Sequence, residues 1–139
     1  VTQLVGPVVI EEPLVLYRGE SFKPRLTLYD GVKTASLPYG SPIDLSAGTK
    51  TAVLRINAIM GDGTDVTRNV LTGGEGEKTD GANGVVTFFV ANTVTGNAGD
   101  FLPGLYDFEI EYQDTAPTPD DVRLVTIGRL DVREKPSAT

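Results

Sequence analysis

Asp107, Glu109 and Glu111 recur at every second position. In an extended chain, side chains two residues apart stand about 6.8 Å from one another on one face. That separation falls within the roughly 6.5–9.5 Å that inverting glycosidases keep between general acid and general base. The row is therefore where this sequence raises hydrolytic chemistry. A competing account is electrostatic. A hairpin through Gln113 to Asp121 brings Glu111 beside Arg123, while Arg55 on the other neighbouring strand faces Glu109. Opposite charges across strands are the ordinary way a sheet carries acids, so the row reads as a charge-balanced outer face. The chain has no His, which removes the usual general base and the commonest zinc ligand, and no Cys, which removes thiol chemistry and disulfides. The expectation is a non-enzyme with no catalytic residue.

Two further constellations fit turn chemistry better than ligand binding. Asp62, Gly63 and Asp65 put acids around a glycine, yet the repeated acid spacing of a calcium loop is missing. Gly76-Glu77-Lys78-Thr79 lacks the Gly-Lys pair of a phosphate loop. No metal and no cofactor are expected. A net charge of −7, with twelve Lys and Arg scattered along the chain, argues against nucleic acid. No apolar run approaches the roughly 20 residues of a membrane-spanning helix, so no membrane partner is expected either.

The acidic row belongs to Pro103–Gln113, where Tyr106, Phe108, Ile110 and Tyr112 alternate with Leu105, Asp107, Glu109 and Glu111. This is the period of a half-buried strand. Similar alternation marks Ser21–Tyr29 and Thr51–Ala58, a shorter strand is expected at Val66–Leu71, and further strands at Val85–Val90 and, as the last one, Val122–Val132. Val85–Val90 is apolar almost throughout, the pattern of a strand buried on both faces or of one covered by a loop. Leu37–Gly48, Ala91–Leu102 and the glycine-rich Thr72–Gly84 read as loops, the last of them exposed. Sixteen Gly and nine Pro among 139 residues fit many short strands joined by tight turns. The expected fold is all-β, an antiparallel sandwich of about seven strands, with an N-terminal arm over 1–13, the sandwich over 14–133 and a C-terminal tail over 134–139. Asp100, Gly104, Tyr106 and Phe108 resemble the tyrosine corner of immunoglobulin-like domains, with Phe108 where a Cys would stand.

The order of features resembles the N-terminal immunoglobulin-like domain of tailed-phage baseplate upper proteins. Tyr17-Arg18-Gly19-Glu20-Ser21-Phe22 is similar to the family's opening turn, and Ser41-Pro42-Ile43-Asp44-Leu45-Ser46 to the segment before its next strand. Gly84–Phe88 and Pro103-Gly104-Leu105-Tyr106 follow in the family's order. The resemblance implies a structural protein of a virion, present in several copies and holding other virion proteins in the tail or baseplate. Capsid decoration on a similar sandwich is the alternative, and a carbohydrate-binding module a more distant one, with Tyr29 and Tyr39 as its exposed aromatic candidates.

Partner contacts are expected in two places. In the arm they are Val8, Val9 and Ile10, able to add to a neighbour's sheet or to pair within the domain. In the last strand, with Leu124, Thr126, Gly128 and Leu130 assigned to the core, the outward residues are Arg123, Val125, Ile127 and Arg129.

Overall fold

The computed structural model describes residues 3–4, 6–58, 65–70, 76–96 and 102–134, with backbone alone at 3–4, 58 and 65–70. Ten strands run in chain order: β1 (Gln3–Leu4), β2 (Val8–Tyr17), β3 (Arg25–Thr27), β4 (Val32–Lys33), β5 (Lys50–Ala58), β6 (Asp65–Val70), β7 (Gly76–Asp80), β8 (Val85–Phe88), β9 (Gly104–Asp114) and β10 (Asp121–Arg133). One helical turn, α1 (Asn92–Thr95), lies between β8 and β9. A five-stranded sheet in the order β2-β10-β9-β5-β6 faces a three-stranded sheet in the order β3-β8-β7, and β1 pairs with β4 separately.

This is an all-β sandwich with the strand order of an immunoglobulin-like domain, the extra strand β6 flanking β5 as in the variable type. All pairs are antiparallel except β2 with β10, which run parallel. Both sheets bury one face against the other. The core is built from Ala52, Leu54 and Ile56 of β5, Tyr106, Phe108, Ile110 and Tyr112 of β9, and Val125, Leu130 and Val132 of β10, against Leu28, Val86, Phe88 and Val90 of the opposing layer. The alternation of β9 is thus borne out over its whole length, since a pleat sends every second side chain inward.

Three local expectations need correction. The arm's pairing within the domain, one of the two outcomes expected, is found, but the boundary after residue 13 does not hold. Val8, Val9 and Ile10 open β2 and pair with Thr126, Ile127 and Gly128, so the expected boundary falls inside one strand. Thr72–Gly84 is not a continuous loop, because Gly76–Asp80 is a strand and Gly81–Asn83 a 3-10 turn. Val85–Val90 is covered on one face only: Val86, Phe88 and Val90 point inward, while Phe89 is exposed. Leu37–Gly48 is a loop as expected, and within it Ile43 and Leu45 enter the core, their N–H groups donating to Leu28 O (2.9 Å) and Gly81 O (2.7 Å). The loop is laced along the edge of the second sheet, which pairs its backbone and lets it plug the sandwich.

The tyrosine corner forms. Tyr106 Oη donates to Leu102 O at 2.6 Å, fixing the entry to β9. Burial pushes the Tyr106 hydroxyl above the usual phenol range, and the bond to Leu102 opposes that shift. Asp100 lies outside the described residues. A second buried clamp holds the turn after β2: Thr95 Oγ1 donates to Glu20 O at 2.7 Å and accepts from Gly19 N at 3.1 Å.

Candidate interaction surface

Strand register places the acidic row on the outer face of the five-stranded sheet. Asp107, Glu109 and Glu111 sit opposite Asn57, Arg55 and Val53 of β5, and opposite Arg129, Ile127 and Leu124 of β10. Arg55 Nη1 lies 3.2 Å from Glu111 Oε2 and 3.8 Å from Glu109 Oε1, so one guanidinium serves both carboxylates. Arg129 Nε is 3.9 Å from Asp107 Oδ1. The expected pairing of Arg55 with Glu109 is found. That of Glu111 with Arg123 is not, because Arg123 sits opposite Tyr112 and belongs to the other face.

Further along, β10 carries a bulge. Between Leu124 and Thr126 the register of β10 against β9 slips by one, so one more residue stands on β10 than on its partner. On the N-terminal side of the slip, Val125 is directed into the core, only 5% exposed, while Val122 (49%) and Leu124 (41%) face outward. Beyond it, Leu130 and Val132 point inward and Arg129 is exposed. Of the residues expected on the outward face of this strand, Ile127 and Arg129 are there, and Arg123 and Val125 are not. The adjacent apolar residues Leu124 and Val125 carry the sequence signal of the break, since either one can serve as the inward member of a pleat.

Arg123 is held on the inner side near the end of the sandwich. Its Nη1 donates to Asp30 O at 2.7 Å, and its guanidinium carbon lies 5.3 Å from the centre of the Tyr112 ring. Nε is 3.2 Å from Asp121 Oδ1, close enough for ion pairing though not aligned as a hydrogen bond. Val8 lines a cleft beside it together with Tyr29 and Tyr39.

The outer face thus combines an acidic centre with an apolar margin. Val9 of β2 pairs with Ile127, Val15 with Asp131, and Leu105 of β9 with Asp131 from the other side. Val9, Val15, Leu105, Val122 and Leu124 are all exposed. Ile10, by contrast, packs against the core, so of the three arm residues only Val9 is offered to solvent on this face.

Among the described residues no group of His, Cys, Asp or Glu has the geometry to hold a metal ion. Asp62 and Gly63 lie outside the described residues, and Asp65 enters β6 as backbone only. Lys78 stands on β7 with its ammonium donating to Ala47 O at 3.0 Å, which commits it to the loop before β5. No described helix is long and apolar enough to cross a membrane. Neither a protein-family model nor a curated protein matches the sequence.

Proposed function

We propose that the chain is a non-enzymatic structural protein of a tailed-phage virion, present in several copies and holding other virion proteins through the outer face of its five-stranded sheet. The observation that carries the contact is the apolar margin of Val9, Val15, Leu105, Val122 and Leu124, which stands exposed around charged residues already paired with one another. A face built this way offers hydrophobic burial, while its fixed charges set orientation and exclude wrong partners. The virion setting rests on the order of family-like segments from Tyr17 to Tyr106, and a tail or baseplate position is preferred over capsid decoration on the same ground.

The test introduces Val9→Asp with Leu124→Asp and asks whether the chain is recovered in purified particles. The reading expects wild-type chain in the particles and loss of the variant, with the variant's unfolding midpoint close to wild type. A chain that is monomeric in solution and absent from every purified particle would sink it.

A further inference from the structure

We propose that the cleft between Tyr29, Tyr39 and Arg123 is a binding site for a single neutral sugar ring. The inference does not depend on the virion reading. The cleft has a volume of about 250 Å³, and its walls include Pro7, Asp30 and Leu124 beside the two tyrosines and the arginine. That is below the roughly 300–1,000 Å³ of pockets that enclose drug-sized ligands, and it suits one ring rather than a chain of them.

The frame is rigid by construction. Tyr29 forms a bridge with Pro42, Asp30 N donates to Ser41 O, and Gly31 N donates to Tyr39 O, each of these two bonds 2.9 Å long. Asp30 Oδ1 accepts from Val32 N at 2.9 Å and Ser41 N at 3.2 Å, closing the same loop from its centre. Gly40 is required here: its φ is +85°, and a Cβ would run into that carboxylate oxygen. The two tyrosines, ten positions apart in sequence, are therefore held at one cleft by backbone bonds that form whether or not a ligand is present. A site that needs no ordering on binding keeps more of its contact energy.

The chemistry selects the ligand class. Sugar rings carry apolar C–H faces that settle on aromatic rings, and a rim of hydroxyls that accept and donate hydrogen bonds. Two phenols and a guanidinium match both requirements. Arg123 spends Nη1 on Asp30 O, and Asp121 already meets its charge. Its Nη2 donors are uncommitted among the described residues. With the charge balanced, the guanidinium acts as a fixed hydrogen-bond donor and not as an anion trap. A neutral polyhydroxyl ligand uses such a donor fully, whereas an anion would compete with Asp121. A proline-rich peptide also docks on aromatic residues, but it needs an extended groove with successive pockets.

The test titrates the isotope-labelled chain with methyl glycosides of glucose, galactose and N-acetylglucosamine, one at a time, following backbone amide shifts. A short polyproline peptide is the parallel arm. At least one glycoside should shift amides of Tyr29, Gly31, Tyr39 and Arg123 while leaving β6 and β7 unmoved. Tyr39→Ala should weaken that binding about tenfold, the share of one stacking contact, and Tyr39→Phe should retain most of it. Tyr39 is already exposed, so neither change threatens the fold. Silence toward all three glycosides up to their solubility overturns the proposal. So does a response to the peptide alone, which gives the cleft to protein, and so does glycoside binding that Tyr39→Ala leaves intact.

Discussion

β9 and β10 lie side by side over eleven paired positions, yet they present their side chains by different rules. β9 keeps one parity from Leu105 to Tyr112, so each residue's face follows from its neighbour's. β10 keeps parity on either side of Val125 but reverses it there, because the bulge adds a residue that its partner lacks. A single extra residue therefore decides which side chains are core and which are offered outside.

Placing aspartate on each side of the slip is the most direct way to break this contrast. Val125→Asp puts a carboxylate among core side chains and is expected to cost about 4 kcal/mol or more, a large share of the roughly 5–15 kcal/mol of an ordinary domain. Leu124→Asp, one residue earlier and exposed, is expected within about 1 kcal/mol of wild type. Urea midpoints of the two variants measure the difference directly. If both were tolerated, or if Leu124→Asp were the damaging one, Val125 would belong outside and the bulge would be misplaced.

Why β9 was legible and β10 was not follows from the same physics. In β9 the aromatic and aliphatic positions alternate with acids, so only one register buries the apolar set. In Leu124-Val125-Thr126-Ile127 every residue is acceptable on either face of a strand, and alternation alone cannot locate an inserted residue. The ion pairs divided similarly. Arg55 with Glu109 was visible because β5 and β9 are both regular, while Arg123 misses Glu111 because the hairpin pairs Asp121 with Asp114 and not with Gln113, which moves Arg123 opposite Tyr112. Tyr29 and Tyr39 could be named as candidates but not as neighbours, since their meeting depends on the hydrogen-bonded loop from Asp30 to Ser41. Ile43 and Leu45 were hidden for a comparable reason: a segment rich in Pro and Gly gives no period to read, and its burial depends on the sheet edge beside it.

The corner at the start of β9 gives the next largest expected effect. Tyr106→Phe removes the donor to Leu102 O and should cost about 1–2 kcal/mol. It also carries a pH signature. Burial raises the hydroxyls of both Tyr106 and Tyr112, and the carboxylates of Asp114 and Asp121 raise Tyr112 further. Unfolded phenols ionise near pH 10, so between that value and the higher folded one the native state holds more protons than the unfolded state. Their contribution is complete below about pH 10 and is lost as pH rises through the raised values. Midpoints recorded from pH 8 upward should fall beyond pH 10, and fall less steeply for Tyr106→Phe. A profile that the substitution leaves unchanged would remove Tyr106 from the account.

The bulge carries a smaller test of its own. Thr126 is 2% exposed, and its Oγ1 has no hydrogen-bond partner among the described residues. A buried hydroxyl without a partner retains its desolvation cost, so the isosteric Thr126→Val is expected to be neutral or to stabilise by up to about 1 kcal/mol. Thermal melts decide the sign. A loss above about 1 kcal/mol would mean that the hydroxyl is satisfied and helps to fix the slip.

The smallest effect belongs to the acidic row, and its smallness is informative. Arg55 bridges Glu109 and Glu111, with side chains between one fifth and two fifths exposed. Partly solvated pairs of this kind contribute about 0–1 kcal/mol after screening and side-chain entropy are counted. Arg55→Ala should therefore shift the urea midpoint little, and less still at high salt. Because the same guanidinium serves both carboxylates, Glu109→Gln and Glu111→Gln should not be additive with it: once Arg55 is gone, removing either acid relieves repulsion within the row instead of breaking a pair. A double-mutant cycle that came out additive would separate the charges into independent surface groups and leave β9's outer face without a network to orient a partner.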